Sequence, residues 1–333
     1  MSPLAHWIDA FGLTSPWTYV GLFLLASLLM MWRLEAMLDQ GLEGTALGTI
    51  VMPYCSGLGN LIFVYLVVAH RGPAREVLTN CLVNNVTNLT LLLGLPAVLW
   101  GLAVIPPRSG RKSRSGGGDT AHQLNRLSLL LTLTAVIFFT GAVWVLGQDG
   151  RLDRTDGLML IGLFLFWQCF QVFDVLKHNV RQKTSFGLLF YLDALIVLAC
   201  AYAVYVSLDW LVAWLGQQHG GFVNAGHLGW LSGWLMVLPN GLLAFYWGWK
   251  RRADIVYTSQ VGDGHICIPL ALGLCAAFHP VPMPDFVETS LLLLLGAAGA
   301  HILFLLAGGG LPRRAGWLFL AAYGWFLYAG LLR

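Results

Sequence analysis

Charge is what this sequence has least of. Asp, Glu, Lys and Arg make up 11% of its 333 residues, against roughly 25% in a water-soluble globular chain, so a water-facing surface over the whole chain is excluded. Stretches free of all four types run over residues 10–32, 44–70, 77–107, 127–148, 157–173, 210–249, 264–284, 289–312 and 315–332. Each is near or above the roughly 17–25 residues a helix needs to cross a bilayer. A tenth stretch, 185–208, is broken only by Asp193. No soluble domain is left over, because the longest polar gap covers about residues 106–126. A basic leader is also missing, and the first apolar run is long enough to span, so the N-terminus does not read as a cleavable signal. The six cysteines all fall inside the apolar stretches; their spacing fits no zinc pattern and argues against a disulfide framework. A formal net charge of +3 marks no nucleic-acid surface.

What is there is a polytopic, all-α integral membrane protein. Ten transmembrane helices are predicted near residues 17–38, 45–69, 76–104, 124–147, 156–176, 185–216, 225–249, 254–278, 285–308 and 313–332. The connections alternate between two sides, with fourteen Lys and Arg on one and five on the other. Basic residues are retained in the cytoplasm. The richer side is therefore expected inside, both termini outside, and the chain in the plasma (cell inner) membrane. The Gly-, Ser- and Arg-rich segment 106–123 reads as a flexible cytoplasmic loop.

The chain also repeats itself. Thr79 to Gly94 reads TNCLVNNVTNLTLLLG, and Thr258 to Gly273 reads TSQVGDGHICIPLALG, 179 residues later. The preceding helices match too: SGLGNL ends at Leu61 after Asn60, and MVLPNG holds Asn240, at an offset of 180. The first five-helix unit is assigned to 1–105 and 124–176, with its matched segment at 53–94. The second is assigned to 185–333, with its matched segment at 230–273. An odd helix count per unit makes the second enter the membrane from the opposite side, the inverted plan of many secondary transporters.

Polar residues mark where the two units should meet. Asn80, Asn84 and Asn88 lie four apart, on one face of the third helix. Adding 179 gives Ser259, Asp263 and Cys267 on the eighth. Asn60 and Asn240 sit inside the second and seventh helices, beside Pro53, Gly57 and Gly59 in one case and Gly233, Pro239 and Gly241 in the other. Carboxamide oxygens, and carbonyls freed by proline, are hard cation ligands. This polar set lacks the paired arginines expected of an anion site. Asn and Thr also tie helices together at roughly 0.6–2 kcal/mol per contact, so a single Asn carries little weight and the symmetric set carries more. Asp193 either pairs with a neighbouring helix or meets the cargo. His265 is expected to bond backbone, and His301 to be a satisfied packing histidine.

These segments resemble the paired alpha-repeats of the sodium/calcium exchanger family, within the calcium/cation antiporter superfamily. That family carries Gly-Thr-Ser-x-Pro-Glu on helices two and seven and Gly-Asn-x-x-Gly-Ser-Asn-x-x-Asn on helices three and eight. Here the first appears as Ser56-Gly57-Leu58-Gly59-Asn60 and Val237-Leu238-Pro239-Asn240. The second appears as Thr79 to Asn88, keeping Asn80, Asn85 and Asn88, with a much more divergent copy at Ser259 to Cys267. The resemblance implies ten helices, outward termini and four central coordinating positions, which map to Asn60, Asn88, Asn240 and Cys267. Flanking positions map to Ser56, Asn84, Val237 and Asp263. It also implies that the long first and sixth helices, about Trp17–Leu38 and Phe186–Gly216, slide past the rest. The family's two central carboxylates are replaced by Asn60 and Asn240.

The expected metal-site set is thus Ser56, Asn60, Asn84, Asn88, Asn240, Ser259, Asp263 and Cys267. One carboxylate among amides suits a monovalent ion better than Ca²⁺, because ligand charge count sets affinity. The expected activity is secondary antiport of Na⁺ or H⁺ against another cation, Ca²⁺ included. The partners are cations and lipid, with no cofactor beyond the transported ions and no enzymatic chemistry. The alternative is a transport-inactive relative that senses an ion or binds a partner. The oligomeric state is left open by the sequence.

Overall fold

The protein is described by a computed structural model covering residues 3–38, 40, 51, 54–55, 57–70, 72–104, 116–179, 187–262 and 264–332, with backbone alone at 116–125 and 174–179. A short helix, α1 (Pro3–Ala10), precedes α2 (Pro16–Met37), α3 (Leu58–Ala69), α4 (Arg75–Trp100), α5 (Gly116–Leu146), α6 (Arg154–Asn179), α7 (Leu188–Gly216), α8 (Leu228–Trp249), α9 (Ala253–Phe278), α10 (Val287–Gly308) and α11 (Arg313–Leu327). Among the described residues nine helices are long and apolar enough to cross a membrane, and α3 is a shorter apolar helix. The chain is a multi-pass membrane protein.

Local chemistry sets several helix starts. Ser15 caps α2, accepting from the Thr18 amide at 3.2 Å with Pro16 in the first turn. Asp153 caps α6, accepting from the amides of Thr155 (2.7 Å) and Asp156 (3.1 Å), while the Asp156 carboxylate accepts from the Asp153 amide at 2.9 Å. Glu76 and Asp254 open α4 and α9, where a carboxylate favours the positive helix end.

The bundle is inside-out relative to a soluble protein. Trp17, Leu25, Phe166, Leu198, Leu303 and Trp317 stand exposed around its rim, where lipid would cover them. Burial picks out the centre: about three quarters of the most apolar stretch of α4 (78%) and α9 (76%) is buried, against a third or so of that of α2, α7 and α10 (33% each). Around that centre α2 lies along α7, α5 along α10, α6 along α9, and α8 and α11 along α4.

Structural features recur at the offsets seen in the sequence. A π-helical segment interrupts α4 at Thr87–Leu91 and α9 at Ile266–Ala271, starting 179 residues apart. After these helices come β1 (Leu102–Ala103) and β3 (Val281–Pro282). β1 pairs antiparallel with β4 (Gly310–Leu311), and β3 with β2 (Arg151–Leu152). Each strand that follows a central helix thus pairs with the strand that precedes the last helix of the other half. Helix contacts repeat the pattern. A Cβ on Gly316 would lie 2.6 Å from the Gly94 carbonyl oxygen where α11 meets α4, and one on Gly157 2.7 Å from that of Gly273 where α6 meets α9. Gly94 and Gly273 are again 179 apart. Glycine is required at these contacts because only a missing side chain lets the backbones approach so closely.

Candidate functional site

Asn60 and Asn240 line one cavity. It has a volume of about 20 Å³ and lies between α2, α3, α7 and α8, with room for one water-sized occupant. Both asparagines are buried, at 3% and 6% exposure. Asn60 stands in the first turn of α3, just after a turn at Gly57, rather than in mid-helix. Asn240 follows Pro239 inside an uninterrupted α8. Proline cannot donate, so it leaves a carbonyl of the preceding turn without its usual partner. Gly57 lets α3 settle on the π segment of α9, since a Cβ there would run into Ile266. Ser27 of α2 completes the polar lining.

A second group of predicted residues meets beside the two π segments. The Asn88 carboxamide donates to Asn84 Oδ1 at 3.0 Å, and the Cys267 thiol lies 3.6 Å from the same oxygen. The Cys81 thiol donates to the Cys267 carbonyl at 3.1 Å. Asn84, Asn88 and Cys267 therefore come together, apart from the residues that line the cavity. Asn80, the top of the predicted stripe, turns instead to α8, donating to Ser232 Oγ at 2.9 Å and Met236 Sδ at 3.4 Å. Asn85 donates to its own helix at the Cys81 carbonyl. Ser259 accepts from Gln260 at 2.8 Å, and Gln260 also donates to the Asn240 carbonyl at 3.3 Å, so this pair joins α9 to the cavity wall. Val237 is buried. Ser56 and Asp263, together with Pro53, lie outside the described residues.

Several buried oxygens in this region have no donor. Among the described residues Asn60 Oδ1, Asn88 Oδ1, Gln260 Oε1 and Thr87 Oγ1 are buried without a hydrogen-bond partner. Leaving such an atom unsatisfied costs about 1–3 kcal/mol. Carboxamide oxygens are the ligand type a hard monovalent cation uses, but among these three only that of Asn60 belongs to a cavity-lining residue. Gln260 and Thr87 are not among the expected site residues, although Thr87 is one of the polar residues of the third helix. Gln260 was legible as a polar residue in an apolar span, one position from the stripe, but helical periodicity puts it on a different face from Ser259.

The other intramembrane polar residues find partners outside the cavity. Asp193 pairs with Arg33 at 3.2 Å and accepts from Gln40 at 2.8 Å, so it meets a neighbouring helix. His265 donates to the Thr132 carbonyl at 3.1 Å. His301 bonds the Tyr257 hydroxyl at 3.1 Å and the Leu89 carbonyl at 2.8 Å, and stacks on Phe319. It is a satisfied packing histidine whose carbonyl partner lies in the π segment of α4. The buried Glu76 carboxylate accepts from the Gly229 amide at 2.8 Å, in the first turn of α8.

The fold and this polar centre define a class: a polytopic membrane protein with a small buried cavity between α2, α3, α7 and α8, next to two central helices interrupted by π segments. The family model for sodium/calcium exchanger protein matches residues 15–173, just under half the chain, and stops short of the divergent second segment. Solved structures of the sodium-calcium exchanger NCX_Mj share the fold. In crystals soaked with 2.5 mM Na⁺ and 10 mM Sr²⁺ the TM-score is 0.63 at 19% identity, covering 95% of this chain and 100% of that one. With 2.5 mM Na⁺ and 0.1 mM Ca²⁺ it is 0.63 at 18%, covering 94% and 96%. With neither Na⁺ nor Ca²⁺ it is 0.59 at 18%, covering 94% and 100%. No curated protein matches the chain. The chain thus resembles the sodium/calcium exchangers, by sequence over its first half and by fold over almost its whole length.

Proposed function

We propose that this chain is a secondary active cation antiporter of the sodium/calcium exchanger family, moving Na⁺ or H⁺ against another cation by alternating access. The reading takes it as ten transmembrane helices in two inverted five-helix repeats, 1–105 with 124–176 and 185–333, joined across the membrane's midplane. It sits in the cell inner membrane with the 106–123 loop inside and both termini outside, uses no cofactor, and is not an enzyme. The family match, the shared fold and the features spaced 179 residues apart support the reading.

One observation carries it: Asn60 and Asn240, related by the repeat, line a single buried cavity, and Asn60 Oδ1 has no donor. In this reading both bind the cation. Asn84, Asn88, Ser259 and Cys267 shape the adjoining wall, and Ser56 and Asp263 complete the set. Carboxamides supply dipoles but no charge, so the primary cargo is monovalent and Ca²⁺ binds weakly at best. α2 and α7, joined by the Arg33–Asp193 pair, form the gate that covers and uncovers the cavity.

The test is ion flux into proteoliposomes. Gradient-driven movement of Na⁺ or H⁺ coupled to a second cation is expected, and its loss in Asp263→Asn. No movement of Na⁺, K⁺, Ca²⁺ or H⁺ rejects antiport. Near-normal transport by Asp263→Asn removes that acid from the site. A second reading, an exchanger-like protein that binds an ion without carrying it, is motivated by the replacement of both central carboxylates, and ion binding without flux would favour it.

A further inference from the structure

The cavity between α2, α3, α7 and α8 is rich in sulfur. Four of its eleven lining residues are Met30, Met31, Cys55 and Met236, against fourteen Cys and Met in all 333 residues. Methionine often fills irregular gaps in apolar cores. Here the gap stays open, at about 20 Å³, and two carboxamides share its wall. Every polar group in the lining is neutral: Ser27, Asn60, Asn240 and the Cys55 thiol, with no carboxylate, histidine, lysine or arginine. Asn60 is 3% exposed, and its Oδ1 has no hydrogen-bond partner among the described residues. The Met236 thioether is held in place by the bond from Asn80 at 3.4 Å.

Two rules then select the occupant. A neutral donor set does little to offset the dehydration of a divalent cation, because ligand charge count sets affinity for such ions. Thioether and thiolate sulfurs are soft donors, the Cys55 thiol losing its proton to solvent as the ion binds, and soft donors select copper(I) over the alkali and alkaline-earth ions. We propose that this cavity takes a thiophilic monovalent cation of the copper(I)/silver(I) class, held by sulfur from Met30, Cys55 and Met236 with the Asn60 carboxamide beside it. The binding claim stands by itself. Its meaning as the second cargo of an exchanger rests on the antiport reading above.

Silver(I) is the probe, because it has the same coordination chemistry as copper(I) without a redox step. The full chain, purified in detergent, carries Cys169→Ser to remove the exposed thiol. Silver nitrate is titrated by calorimetry into this protein and into Met30→Leu/Met236→Leu, which keeps apolar volume nearly constant. The other cysteines are the same in both, so only the difference between the two titrations counts. One silver site that the variant lacks, or binds at least tenfold more weakly, is expected in the parent. Should the double variant elute as an aggregate, Met236→Leu alone is titrated, with the same tenfold expectation. Equal stoichiometry and affinity in parent and folded variant overturn the proposal. Flux of Na⁺ and H⁺ through the parent in liposomes is measured separately. Flux without a variant-sensitive silver site leaves antiport standing and rejects this site; silver binding without flux does the reverse.

Discussion

The Arg33 guanidinium lies 3.2 Å from the Asp193 carboxylate, joining α2 to α7. Side-chain exposure is 23% for Arg33 and 8% for Asp193, so the acid is the more deeply desolvated partner. Arg33→Met leaves that carboxylate buried with only its Gln40 bond. The expected loss of stability is about 2 kcal/mol, below the value for a fully buried pair because the guanidinium is partly solvated. Arg33→Met/Asp193→Leu is expected to recover most of it. Thermal unfolding in detergent checks both, and an additive double variant would show that the pair is not coupled.

The cavity asparagines control charge as well as geometry. Asn60→Leu and Asn240→Leu each remove a carboxamide from the wall and are expected to reduce cation flux at least tenfold. Asn60→Asp adds a formal charge where the protein has a dipole, and raising ligand charge raises divalent affinity. Competition of Ca²⁺ with Na⁺ uptake is therefore expected to strengthen in Asn60→Asp and stay weak in the parent. Unchanged competition would place the cation elsewhere.

His301 serves two buried groups at once, the Tyr257 hydroxyl and the Leu89 carbonyl. His301→Leu preserves bulk against Phe319 but leaves both groups without that partner. An expected destabilisation of about 2 kcal/mol follows from the cost of an unsatisfied buried polar group. The same change frees a carbonyl in the π segment of α4. Faster hydrogen exchange of amides around Thr87–Leu91 is the measurement that separates this effect from general loosening.

At the other end of the molecule, outside the spans, the Asp153 carboxyl is held below the usual carboxylate range. The Asp156 amide is the main cause and the Thr155 amide the next. A lowered pKa in the folded state means stabilisation that is fully present above the ordinary carboxylate value and disappears as pH falls through the lowered one. Asp153→Ala is thus expected to lower Tm at neutral pH through loss of the α6 cap. The gap between variant and parent should close in acid. A Tm difference that persists unchanged at low pH would mean the cap acts through something other than the charge.

The membrane class, nine long apolar helices among the described residues, and the recurrence of features 179 residues apart were all legible in the sequence. Those properties depend on local composition: a run of about twenty apolar residues has one stable solution in lipid, and a duplicated segment keeps its spacing. Most helix ends agree to within a few residues, but the second helix, expected over 45–69, is seen as Leu58–Ala69 among the described residues, and the short α1 (Pro3–Ala10) was not expected. The hydrogen bonding of His265 and His301 was legible too, since a buried ionisable group in lipid must find a partner, while for Asp193 pairing with a neighbouring helix was one of two readings.

Which polar residues face one another was decided only by the tertiary structure. Periodicity put Asn80, Asn84 and Asn88 on one stripe, yet Asn80 bonds across to α8 while Asn84 and Asn88 bond each other beside Cys267. Asn80 departs from the stripe because Ser232 and Met236 of α8 pack against it, a contact that helical periodicity does not anticipate. Gln260 joins the wall through a contact with Asn240, twenty residues away in sequence and on another helix. Met30, Cys55 and Met236 share a cavity with Asn60 only because α2, α3 and α8 pack side by side there. Sequence governs what each segment can bury; the donor set around an ion depends on how the segments turn against one another.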